Sequence, residues 1–144
     1  MVLDLGAARV RDVMTVSVPT ITPKTTIATA LRLLREHGLA ALPVCGEGGL
    51  VGLVDEKALL RFTPSEVTTL DIYELHDVLD RLTVARAAVP ARATIGPDAG
   101  LEEAAAAMLR STAEVIPVVD RERFLGLLTW PSLLSAVVGT SRPA

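Results

Sequence analysis

The chain is short of three things, and each shortage removes a class of protein. Aromatic residues make up 3% of its 144 residues, so no face can alternate aromatic and basic groups for nucleic acid. There is one cysteine, Cys45. This excludes an internal disulfide framework and is the usage expected of a reducing cytoplasm. No uninterrupted apolar stretch reaches the roughly 18–20 residues that cross a bilayer. The C-terminal run "WPSLLSAVVG" is about half that length and contains a proline. The opening "MVLDLGAARVRDVM" has an acid where a leader peptide has base, and no cleavage pattern follows it. Charge is thin and mixed: 14 Lys and Arg against 17 Asp and Glu give a net charge of −3. What remains is abundant Leu, Val, Ile and Ala, with half the chain apolar. That is enough for a globular core and too much for a disordered chain.

The apolar residues are arranged twice over. Shifting the sequence by 74 positions sets Val10–Leu60 against Val84–Leu134 without a gap. Identities fall at Val10/Val84, Thr20/Thr94, Ile21/Ile95, Pro23/Pro97, Ala30/Ala104, Pro43/Pro117, Val44/Val118, Gly52/Gly126, Leu53/Leu127, Leu59/Leu133 and Leu60/Leu134. Pro-Val, Gly-Leu and Leu-Leu recurring in one order at one spacing mark two copies of a single supersecondary unit.

Each copy reads alike. A short extended piece ends at Thr20-Ile21 or Thr94-Ile95 and meets a turn proline. A helix follows, about Ile27 to His37 and Leu101 to Ser111. Ile27, Ala30, Leu31 and Leu34 share one face of the first, and Leu101, Ala104, Ala105 and Met108 one face of the second. Thr26 and Gly100 are the predicted N-caps, and Gly38 closes the first helix. Two short apolar strands come next, "ALPVC" turning through "GEGG" into "LVGLV" and "VIPVV" turning through "DRER" into "FLGLL". Pro43 and Pro117 cannot donate to a ladder and belong at a strand start, a bulge or an edge. A second helix follows, with Asp55 and Thr129 as its predicted N-caps. Between the copies "TPSEVTT" reads as a loop and "DIYELHDVLDRL" as an amphipathic helix, with Asp71 and Glu74 in capping-box spacing.

The expected fold is α/β (α+β): two β-α-β-β-α repeats, each a three-stranded sheet with two helices on one face. The free faces pack through pseudo-twofold symmetry, because one unit of about sixty residues buries too little alone. Residues 1–62 form repeat 1 with its N-terminal segment, 63–82 a connector loop and helix, 83–138 repeat 2, and 139–144 a tail.

This repeat, with "PV" in its middle strand and "GLVDEKAL" at its end, resembles the cystathionine-β-synthase (CBS) domain, and the pair resembles a Bateman module. The connector "TPSEVTTLDIYELHDVLDRLTV" is similar to that of stand-alone pairs of the acetoin-utilisation type. The resemblance implies an adenosine-containing ligand in a cleft between the repeats, sensed and relayed to a protein partner. Its junction motif, Gly-apolar-apolar-Thr/Ser-x-x-Asp, holds phosphate with the hydroxyl and helix-end amides, and ribose with the Asp. A helix N-terminus supplies the free N–H groups and partial positive charge this needs.

Carried over by position, the second copy reads Gly126-Leu127-Leu128-Thr129-Trp130-Pro131-Ser132. Thr129 matches the hydroxyl, and Ser132 stands in place of Asp. The first copy reads Gly52-Leu53-Val54-Asp55-Glu56-Lys57-Ala58. Asp55 replaces the hydroxyl and Ala58 the Asp, while Lys57 could reach a phosphate. The adenine side falls on Thr20, Ile21, Leu42 and Pro43, and on Thr94, Ile95, Ile116 and Pro117. The resemblance also implies a homodimer, for which "EEAAAAM" and "SLLSAVV" offer apolar surfaces. His37 and His76 make no metal set, and no nucleophile–base pair or glycine-rich phosphate loop is present, so the expectation is a protein that is not an enzyme and needs no cofactor. Two readings stay open: a cytoplasmic regulatory module that senses an adenosine nucleotide, and a structural or protein-interaction module that has lost it.

Overall fold

In the computed structural model, residues 8–61, 74 and 80–138 are described below. The predicted connector loop, most of its helix, the Asp71 cap and His76 lie outside these residues.

Helix α1 (Val10–Val13) is a single turn, and α2 (Ile27–His37) is the predicted first helix. Strands β1 (Leu42–Gly46) and β2 (Gly49–Val54) lead into α3 (Glu56–Arg61). A 3-10 turn (Val84–Arg86) precedes α4 (Leu101–Ser111), strands β3 (Val115–Asp120) and β4 (Arg123–Thr129), and α5 (Trp130–Val137). Helix ends follow sequence chemistry. The Thr29 N–H donates to Thr26 Oγ1 at 3.2 Å, and Gly38 closes α2 in the left-handed region at φ 59°. Thr112, the repeat partner of Gly38, adopts the same conformation at φ 54° despite its β-branch. Its Oγ1 takes a 2.9 Å bond from Arg92. The buried faces of α2 and α4 are Ile27, Ala30, Leu31 and Leu34, and Leu101, Ala104 and Met108, with Ala105 packed partly against the core. Ala104 of the alanine run is thus committed to its own core.

The sheets are two antiparallel hairpins, β1–β2 and β3–β4. Leu42 pairs with Val54 and Ile116 with Leu128. A register shift falls at Val44/Cys45 in one and at Val118/Val119 in the other, the same place in both copies. The expected third strand contracts to one residue. The Ile21 N–H donates to the Pro43 carbonyl at 3.0 Å and the Cys45 N–H to the Ile21 carbonyl at 2.7 Å. Ile95 does the same with Pro117 and Val119, at 3.1 and 2.9 Å. Lengthening this parallel ladder would need an N–H from Pro43 or Pro117 in one direction and from Pro23 or Pro97 in the other; proline has none, so the ladder stops after one bridge.

The chain divides into two compact units that are not the two sequence repeats. One comprises Pro19–Pro90. The other joins the N-terminal segment, up to Val18, to Ala91 onward. The segment before each repeat therefore belongs to the other repeat's unit. Thr15 and Leu127 exchange backbone bonds of 2.8 and 3.0 Å, and 74 residues along the same offset Val89 and Leu53 exchange bonds of 3.0 and 2.8 Å. The Val10 N–H reaches the Ala99 carbonyl at 2.9 Å, and the Val84 N–H the Thr25 carbonyl at 2.8 Å. Val10 and Val84 are both fully buried, Val10 among Leu101, Met108 and Leu133, and Val84 among Ile27, Leu42 and Leu59. Burial of each such side chain stabilises its unit by about 1.5–3 kcal/mol.

Gly52 and Gly126 now have a cause. A Cβ on Gly52 would lie 2.2 Å from the Val89 carbonyl oxygen, and one on Gly126 2.6 Å from that of Thr15. The arriving segments run against bare backbone, and only glycine leaves them room.

Candidate functional site

Each hairpin delivers its second strand into a helix, and the two junctions differ in charge. At β4–α5, Thr129 is extended (φ −120°, ψ 159°) and caps the helix. Its Oγ1 accepts from the Ser132 N–H at 3.3 Å and donates to Ser132 Oγ at 3.2 Å. Both residues are half-buried. Pro131 in the first turn removes one N–H, and the cap takes that of Ser132. The helix end thus keeps its partial positive charge with fewer free donors than usual.

At β2–α3 the cap is a carboxylate. Asp55 Oδ1 accepts from the Ala58 N–H at 2.7 Å. Asp55, Glu56 and Lys57 are exposed. Arg35 of α2 lies 3.8 Å from Glu56, both largely in solvent, so this ion pair adds little. A carboxylate at the cap satisfies the helix end and repels a phosphate approaching the same amides.

The residues expected on the adenine side are gathered unit by unit. The Ile95 N–H donates to the Pro117 carbonyl, and the β3 neighbour of Ile116, Val115, pairs with Thr129. Thr94, Ile95, Ile116, Pro117, Thr129 and Ser132 therefore belong to one unit. Thr20, Ile21, Leu42, Pro43 and Lys57 belong to the other. Leu42 and Ile116 are fully buried, and Ile21 and Ile95 nearly so. Ile21 and Ile95 also commit both backbone groups to β1 and β3. The threonines Thr20 and Thr94 are exposed. Among these residues the exposed or half-buried side chains are Thr94, Thr129 and Ser132 in one unit and Thr20 and Lys57 in the other.

Thr15 and Val89 were not singled out by motif, although they hold the strands that carry both junctions. The signal was present in the paired Gly52 and Gly126. Desolvation pushes the Cys45 thiol above its ordinary range. Among the described residues no His, Cys, Asp and Glu group could hold a metal ion, and no helix is long and apolar enough to cross a membrane.

The family model for the CBS domain matches residues 10–65 and 84–139. The chain belongs to the CBS domain family. Inosine-5'-monophosphate dehydrogenase of Korarchaeum cryptofilum is 33% identical over 121 residues, 83% of this chain but 21% of that enzyme. The chain thus spans about a fifth of that relative. The CBS domain-containing protein YhcV of Bacillus subtilis is 26% identical over 83% of this chain and 78% of its own length. Among solved structures, CBSX2 in complex with AMP superposes with a TM-score of 0.72 at 27% identity, covering 91% of this chain and 96% of that one. An acetoin utilization protein, AcuB, from Vibrio cholerae shares the fold at a TM-score of 0.75 and 20% identity, over 92% and 91% of the two chains. The mixed helix and strand architecture with two small antiparallel sheets is that of CBS pairs.

Proposed function

We propose that this CBS pair is a regulatory module, not an enzyme, which binds an adenosine-containing nucleotide at the Thr129 junction and relays its presence to a protein partner. The observation that carries the reading is the junction itself. Thr129 keeps the hydroxyl of the family motif at the start of an eight-residue helix, and no carboxylate caps that end. A solved relative of the same fold is in complex with AMP. In this reading Thr129 and the Trp130 amide receive phosphate, Ser132 faces the sugar, and Thr94 lies on the base side. The Asp55 junction binds weakly or not at all. Thr20, Ile21, Leu42 and Pro43 then serve the core and backbone of their unit, with Lys57 as the residue nearest to a phosphate role there. The module works in the cytoplasm as a homodimer, which light scattering would report as twice the chain mass across the micromolar range. One chain mass at every concentration would reject the dimer.

Calorimetry with AMP and ATP tests the site. Thr129→Ala should weaken binding by about 1 kcal/mol or more, for one lost hydrogen bond. Ser132→Asp restores the carboxylate of the motif and should tighten adenosine binding. A hydrogen bond to a charged group contributes about 1.5–3 kcal/mol, or roughly tenfold to a hundredfold in affinity. The gain should disappear for a ligand without ribose hydroxyls.

A second reading has its own support. Ser132 and Ala58 both stand where the family motif has Asp, and Pro131 removes an amide donor. These are the changes expected of a pair kept for protein interaction alone. Absence of binding by wild type and by Ser132→Asp, with the fold intact, would establish that reading over the first.

A further inference from the structure

We infer that residues 9–15 form a strap whose docking and the integrity of the Thr129 junction are one equilibrium, so that a nucleotide bound there governs the strap. The inference rests on the proposed nucleotide reading for its ligand but not for its mechanics. The strap joins two parts of its unit that are otherwise separate in sequence. At one end the Val10 and Arg11 N–H groups donate to the carbonyls of Ala99 and Pro97, both at 2.9 Å. That turn directly follows Thr94 and Ile95. At the other end Thr15 exchanges two hydrogen bonds with Leu127, two residues before Thr129. Between these points Val10 and Val13 are 0% and 4% exposed, anchored in the core beside Met108 and Ile116. The Arg11–Asp98 ion pair lies in solvent and adds little to this anchoring. One short segment therefore fastens both the turn after Thr94 and the strand that carries Thr129.

A ligand held by groups on both fastened parts binds best when the strap is down. By linkage it must hold the strap down in return, by the same factor. The corresponding segment of the other unit, Val84–Val89, makes the equivalent bonds to Thr25 and Leu53. Its strand runs into Asp55, whose carboxylate caps α3 and repels an anion there. The duplication leaves two straps, of which one reports on nucleotide.

Hydrogen exchange of the full chain, resolved by residue, tests this in two arms. In the free protein Val13→Ala should speed exchange of the Thr15, Leu127 and Ser132 amides by a common factor of about tenfold or more. The Leu53 and Val89 amides in the other unit should not change. In the second arm AMP at about 100 times its Kd should slow the Val10, Thr15 and Ser132 amides together, by about a hundredfold. A variant that speeds Thr15 and leaves Ser132 alone would overturn the inference, as would an equal rise in both units, which is global unfolding. AMP that protects Ser132 but not Thr15 would also overturn it. If AMP does not bind, the nucleotide reading fails by itself, and the Val13→Ala arm still decides whether strap and junction open together.

Discussion

Replacing Gly52 or Gly126 by alanine adds one methyl group where the structure has no space for it. At Gly52 the new carbon would lie 2.2 Å from the Val89 carbonyl oxygen and 2.7 Å from its carbon. At Gly126 it would lie 2.6 Å from the Thr15 oxygen. The obstacle is backbone, so no rotamer change relieves it. Restoring ordinary contact requires the two chains to part by about 1 Å, judged against normal carbon contacts of about 3.5 Å. The Leu53–Val89 bonds of 3.0 and 2.8 Å would then exceed hydrogen-bonding distance. Two backbone bonds at about 1 kcal/mol each, plus partial exposure of Val84 or Val10, place the loss at about 2–4 kcal/mol. The usual gain from glycine to alanine, about 0.4–1 kcal/mol through the unfolded chain, does not offset it. Urea unfolding of four single variants decides the matter. Gly48 and Gly96 have no atom within 4 Å of an added Cβ, so their alanine variants should stay within about 0.5 kcal/mol of wild type. Gly52→Ala should be the least stable of the four and Gly126→Ala next. If Gly52→Ala unfolds at the same urea concentration as Gly48→Ala, the Val89 segment does not pack closely on β2 within its unit and the explanation of the paired glycines is wrong.

Three further outcomes are expected. The β3–β4 turn places Arg121 and Glu122 at φ 52° and 73°, a conformation that favours Asn-Gly, so Arg121→Asn with Glu122→Gly should raise thermal stability by about 1–2 kcal/mol; an unchanged Tm would refute the strain. Thr112→Asn should add about 0.5–1 kcal/mol, because asparagine tolerates the left-handed region and still offers Arg92 an acceptor; calorimetric melting would show a loss if the β-branch were needed. The raised pKa of Cys45 lowers its thiolate fraction at any given pH, so iodoacetamide should label it more slowly in folded than in urea-unfolded protein at pH 8, the rate climbing as pH rises; equal rates would contradict the desolvation.

Helices were legible because their signals are local. The faces of α2 and α4 and the caps at Thr26, Gly100 and Gly38 follow from spacing and residue type within one segment. The hairpins were legible for the same reason. The third strand was overestimated, since Thr20-Ile21 looks extended in any context while the missing N–H of Pro43 acts from another segment. The partnership of Thr15 with Leu127 joins positions 112 residues apart and leaves no periodic trace. Its one mark is a glycine required by an absent neighbour. At the candidate site, residue identities at Thr129, Ser132 and Asp55 were readable. The capping roles of Asp55 and Thr129 were readable too, and each side chain does accept from a helix amide; that Leu42 and Ile116 vanish into the core depended on burial and register.

The exchanged segments also alter what it means to cut this protein in two. A break between Phe62 and Tyr73 would give an N-terminal fragment holding the body of one unit and the strap of the other, and a C-terminal fragment holding the reverse. Each piece would carry a buried valine whose core cluster lies mainly in its companion, Val10 in one and Val84 in the other. Each fragment would therefore need the other to complete both units, and scission there is expected to leave the two pieces associated. Continuity of the chain thus supplies the two halves in equal number, each with the segment that completes the other's unit.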